Sequence, residues 1–160
     1  MSFLRAIQLS IDRAEVEQGE YLMEYMNSIR PGLEYQLNYL VEDVHSATHI
    51  GSGGVKVLST PSLIGFMERT AHQLLAKNLV DGWSSVGVRV DIAHLAPTPI
   101  DSTIKVRCEI LQVDGNQVTL LVEAWDDVEK IGEGKHLRVV IDQERFLKRV
   151  AKKASSLSQG

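Results

Sequence analysis

The sequence predicts an α+β fold in which one antiparallel sheet wraps around a single long helix. Three observations carry that reading. A capped, largely apolar stretch occupies residues 59–82, a half-buried alternation precedes it at 33–41, and four further alternating segments follow it as a meander. Such a meander presents one apolar face, and the long apolar stretch is the element available to cover it.

The helix is read from STPSLIGFMERTAHQLLAKNLVDG. Ser59 or Thr60 can cap its first turn, Pro61 suits its first position, and Gly82 stands where a helix would stop. Between these signals Ile64, Ala71 and Leu75 recur at helical spacing, with Leu63, Met67, Leu74 and Leu79 widening the stripe. Glu68 falls inside the stripe, one turn after Ile64. A carboxylate held there would lose hydration and stay available as a base or nucleophile in a partly dry site. The alternative is an edge-of-stripe glutamate paired with His72 one turn on.

The strands follow in order. Leu33, Tyr35, Leu37, Tyr39 and Val41 alternate with polar residues after the break at Pro31-Gly32. IGSGGV, residues 50–55, is a glycine-rich connection that lacks the Gly-Lys-Ser/Thr of a phosphate-binding loop. After the helix, Val86, Val88, Val90 and Ile92 share one face, and His94 continues that parity at the strand end. The turn LAPTP leads to Ile104, Val106, Cys108 and Ile110; Asp114-Gly115 marks a hairpin, and Val118, Leu120, Val122 and Ala124 form the next strand. Asp126-Asp127 turns the chain into a last strand with Leu137, Val139 and Ile141 inward, which sets His136 and Arg138 on the outer, solvent side. A single-layer sheet leaves its edges open, so a homodimer or higher homo-oligomer is expected.

Composition narrows the function. At 160 residues and 44% hydrophobic the chain suits one domain, burying roughly 70% of its unfolded surface. A net charge of −4 offers no field for nucleic acid, and the basic run at 148–153 reads as a solvated last helix. The single cysteine, Cys108, lies in an alternating strand as a small core residue and suits a reducing compartment. No apolar run is long enough to cross a bilayer and charges interrupt the N-terminal stretch, so a cytoplasmic protein without membrane contact is expected. His45 and His49 lack paired ligands at a recognisable spacing, and no metal site is expected. Residues 1–31 read as a partly helical extension, with Leu22, Tyr25, Met26 and Ile29 at helical spacing, 32–149 as the main domain and 150–160 as a tail.

VLSTPSLIGFMERTA, SSVGVRVDIAHLAPTP and EKIGEGKHLRVVI together resemble the fluoroacetyl-CoA thioesterase-like family of hotdog-fold proteins over about residues 32–149. The family joins a threonine at the helix entrance to a glutamate eight residues on and to a histidine ending the next strand before a Pro-Thr-Pro-like turn. Thr60, Glu68 and His94 occupy those positions. The resemblance implies the hotdog fold, hydrolysis of an acyl-CoA thioester without a cofactor, and these three residues as the catalytic set. It also implies roles for Gly87, which would let substrate or water approach the backbone or else mark a sheet kink, and for Arg138, which could meet a negative group of CoA or the acyl chain. His136, on the expected outer face, is read as non-catalytic.

Family members that select fluoroacetyl-CoA close aromatic side chains over the acyl group, whereas HIGSGGVKVL here has none, so a broader acyl-CoA substrate is expected. Glu68 would serve as general base or as the nucleophile of a transient anhydride, His94 would orient water and exchange a proton, and Thr60 would hydrogen-bond to a partner or to the thioester carbonyl. A hotdog hydratase or dehydratase, and a non-catalytic acyl-CoA binding module, are the rival readings.

Overall fold

The computed structural model describes residues 28–158. The expected amphipathic helix near 12–30 lies almost wholly outside them; within them, Ile29 is buried. The elements are β1 (Glu34–Leu40), a 3-10 turn (Asp43–His45), α1 (Ala47–Ile50), α2 (Thr60–Ala76), β2 (Trp83–His94), β3 (Thr103–Asp114), β4 (Gln117–Trp125), β5 (Lys130–Asp142) and α3 (Gln143–Leu157). The five strands form one antiparallel sheet in the order β1-β3-β4-β5-β2, with α2 laid across one face. This is the hotdog arrangement that the sequence predicts.

The core is the meeting of two periodicities. From α2, Leu63, Phe66, Met67, Ala71, Leu74 and Leu75 are buried. From the sheet, Ile104, Val106, Cys108 and Ile110 of β3 and Val118, Leu120, Val122 and Ala124 of β4 are fully covered. Each large aliphatic side chain so buried stabilises the fold by about 1.5–3 kcal/mol. Gly115, at a φ of 57°, makes the tight link between β3 and β4 at the expected hairpin.

Ser59 is the residue that caps α2. Its Oγ accepts from the backbone N–H of Ser62 at 3.2 Å, which leaves the Thr60 hydroxyl available for another partner. The helix stops at Ala76, earlier than Gly82. The Lys77 N–H bonds to the Gln73 carbonyl, and the Asn78 side-chain amide donates to the Leu74 carbonyl at 2.8 Å, so the last carbonyls are satisfied there. Gly82, with a φ of 87°, instead forms the turn into β2.

Two strands depart from the faces that the sequence predicts. In β2, Gly87 pairs with Arg138 and Arg89 with Leu137, so Val88 is an extra residue and forms a bulge. The parity reverses there: Ser85 and Gly87 face α2 before it, and Val90, Ile92 and His94 share a parity after it. Val86 and Val88 therefore point to the outer face, contrary to the single-face reading.

In β5 the expected faces are exchanged. His136 and Arg138 are buried at 1% and 5% exposure, while Leu137 and Val139 are only partly covered. Leu137, Val139 and Ile141 are apolar because the outer face also meets other groups. Val139 and Ile141 line a groove with Trp83, Val86 and Phe146 of α3. The helix α3 is exposed along its length, as expected for the basic run, and continues through residues 150–157. Among the described residues no helix is long and apolar enough to cross a membrane.

Candidate active site

The candidate residues fall into two clusters along α2. Thr60 begins the helix and His94 ends β2, and the Thr60 Oγ1 lies 2.9 Å from the His94 Nδ1. This pair opens on a pocket of about 370 Å³ lined in part by Ala47, Ser59, Leu95 and Pro97. The His94 Nε2 is buried without a hydrogen-bond partner. Burial holds this imidazole below the ordinary histidine range, partly offset by the Ala96 backbone, so the ring is neutral near pH 7 and keeps proton-accepting capacity.

Glu68 lies two helical turns further on, about 12 Å along the axis from Thr60 at about 1.5 Å per residue. Its side chain keeps 42% exposure, so it is not sunk in a dry stripe as the helical pattern suggests. Its partners are also different from His72, the alternative that helical spacing offered. The Glu68 Oε1 faces the Arg138 Nη1 at 3.9 Å and the His136 Nε2 at 3.6 Å. Both partners reach it from β5, across the layer boundary, and no helical spacing could announce them.

Gly87 makes room for this carboxylate. A Cβ at that position would run into the Glu68 Oε1 and come within 3.2 Å of the His136 Cε1. The adjacent bulge kinks the sheet at the same backbone, and the group that approaches Gly87 is the chain's own glutamate.

Arg138 is buried because its donors are met. Its Nε donates to the Ser85 Oγ at 2.9 Å and its Nη2 to the Ser85 carbonyl at 2.8 Å. His136 is buried on the same face, its Nδ1 2.9 Å from the Arg89 carbonyl and its Nε2 3.1 Å from the Arg138 Nη1. Burial, with the charge of Arg138 adding to it, pushes His136 below the ordinary histidine range, and burial does the same to His72. His136 and Ser85 are the site residues that sequence reasoning missed. A legible signal was the glycine run of matching parity: a Cβ at Gly132 would press on Leu63 of α2, which marks that face of β5 as inward.

His45 caps its own turn, its Nδ1 accepting from the Glu42 N–H at 2.9 Å, and stacks edge-on against Phe66. Among the described residues no group of three His, Cys, Asp or Glu side chains is placed to hold a metal ion.

A sheet wrapped on one helix, with a hydroxyl–imidazole pair at the helix entrance and a carboxylate further along it, belongs to the class of hotdog-fold acyl-CoA thioesterases. More narrowly, the chain belongs to the FlK family, described as fluoroacetyl-CoA-specific thioesterase, whose pattern matches residues 41–144. It is 35% identical over 98 residues to a fluoroacetyl-CoA thioesterase of Streptantibioticus cattleyicolor, covering 61% of this chain and 70% of that one. Among solved structures, the fluoroacetyl-CoA thioesterase FlK superposes with a TM-score of 0.74 at 29% identity over 78% of this chain and 97% of that one. A hot-dog-like protein from Thermanaerovibrio acidaminovorans gives a TM-score of 0.75 at 25% identity, over 82% and 97% of the two chains.

Proposed function

We propose that the chain hydrolyses an acyl-CoA thioester to a carboxylic acid and free CoA with Thr60, Glu68 and His94 as its catalytic set, assisted by Gly87 and Arg138. The observation that carries this reading is the 2.9 Å contact between Thr60 and His94 at an open pocket beside the N-terminus of α2. Backbone N–H groups there favour negative charge, as develops on the thioester oxygen during attack. Glu68 either takes a proton from the attacking water or adds to the carbonyl itself, expelling the CoA thiolate and leaving an anhydride that water opens. Arg138 supplies positive charge beside that carboxylate. The reaction consumes only thioester and water and calls for no cofactor.

We read the site as completed in a homodimer. β2 is an edge strand of 12 residues with Val88 59% exposed. Antiparallel pairing of two such edges would lay the His94 end of one copy's strand beside the Gly87 stretch of the other, and so bring a second copy's His94 toward Glu68. Light scattering should give a dimer, and a monomer at working concentration contradicts this.

The acyl group is read as broader than fluoroacetyl, since residues 49–58 hold no aromatic side chain to close over it. A reducing cytoplasm suits the free, buried Cys108. The experiment is free-thiol release from short, medium, aromatic and fluorinated acyl-CoAs. Release from several of them supports the reading; water added across a carbon–carbon double bond of an enoyl-CoA, or lost from a hydroxyacyl-CoA, with the thioester intact would indicate a hydratase or dehydratase instead.

A further inference from the structure

The polar contacts around His136 assign its tautomer. The Arg89 carbonyl accepts hydrogen bonds and cannot donate one, so the His136 Nδ1, 2.9 Å away, carries the proton. In the neutral ring Nε2 is then a lone pair, and the donor in reach is the Arg138 Nη1 at 3.1 Å. The Glu68 Oε1 stands off at 3.6 Å, as expected for two acceptors facing each other. Ser85 takes the Nε and Nη2 side of the guanidinium. The Nη1 side turns to the Glu68 backbone carbonyl at 3.5 Å and its carboxylate at 3.9 Å. Without an acceptor at Nε2, that side of Arg138 would lose its fixed direction.

We infer that His136, neutral and protonated on Nδ1, is a positioning residue whose Nε2 accepts from Arg138 and so aims the guanidinium at Glu68. This rests on the hydrolysis reading above and adds a residue to it. A buried histidine with both ring nitrogens engaged is more than a space-filler here, because its second nitrogen contacts the one buried cation beside the carboxylate among the described residues. Imidazolium would place two donors against each other at the Arg138 contact, so the neutral form is the one that positions.

The test separates the two nitrogens. His136→Asn keeps a donor near the Nδ1 position for Arg89 but removes the acceptor at Nε2, whereas His136→Gln places an amide oxygen near Nε2. With the fold intact by circular dichroism and the native oligomeric state kept by light scattering, His136→Asn should lower kcat about a hundredfold with KM within a few-fold of native. His136→Gln should stay within a few-fold in both. Equal kcat loss in the two variants, or no loss in His136→Asn, overturns the positioning role while native turnover upholds hydrolysis. No thiol release by the native protein overturns hydrolysis and the role together. Imidazole 15N spectra give an answer that does not depend on turnover: a protonated Nδ1 and bare Nε2 at pH 7.5 are expected, and a protonated Nε2 overturns the proposal even in an active enzyme.

Discussion

The Thr60 Oγ1 and the His94 Nδ1 stand 2.9 Å apart, tying the first turn of the central helix to the last residue of β2. The contact exists because Ser59, one residue earlier, does the capping. Helix capping and the contact with His94 are thus divided between two adjacent hydroxyls, and they can be separated by mutation. Thr60→Val, which removes the hydroxyl and keeps the shape, should lower kcat roughly 10- to 100-fold while changing stability by less than about 1 kcal/mol. Ser59→Ala should do the reverse, costing about 1 kcal/mol in urea unfolding with kcat near native.

Gly87→Ala tests the space around Glu68. The added methyl meets a carboxylate on a partly exposed, flexible side chain, so that side chain swings aside and the fold loses only about 1–2 kcal/mol. Activity should fall about tenfold or more, because the displaced group is the proposed base or nucleophile. Parallel melting curves and initial rates check both halves.

Stability should fall on acidification below about pH 6.5. His72, His94 and His136 all have folded pKa values held below their ordinary one, chiefly by burial. In that window the unfolded chain binds more protons than the folded one, so the stability present above pH 6.5 is lost as pH falls toward the folded values. Urea midpoints at pH 7.5 and 5.5 measure the drop, and His136→Gln should make it smaller.

Cys108 should be silent toward thiol reagents in the native protein. Burial, its largest influence, pushes the thiol up to about 12, so almost no thiolate exists near pH 7 and the sulfur is covered. A chromogenic disulfide reagent should titrate one thiol in denaturant and none in buffer. The same property keeps the protein's own sulfur out of an assay for released CoA.

What could be read from the chain follows from how many faces each strand covers. β1, β4 and β3 as far as Ile110 alternate because α2 covers one side while the other keeps more exposure; beyond Ile110 the extra residue Leu111 breaks the pattern of β3. β5 misleads because its outer face is also apolar, and its inner face holds His136 and Arg138, whose burial depends on Ser85 and Arg89 about fifty residues away. β2 misleads because one extra residue, Val88, reverses its parity midway. Thr60, Glu68 and His94 were singled out by resemblance to the family's pattern. Their grouping was not legible, since Glu68 takes its partners from β5 and Thr60 and His94 meet each other instead.

Thioester hydrolysis by this chain is proposed to depend on the Glu68 carboxylate. It is tested most directly by comparing CoA release from an acyl-CoA panel by the native protein, Glu68→Gln and Glu68→Ala, each checked for folding. Release by the native protein and a loss of about a hundredfold or more in both variants are expected. Turnover by folded Glu68→Ala at the native rate would contradict that dependence.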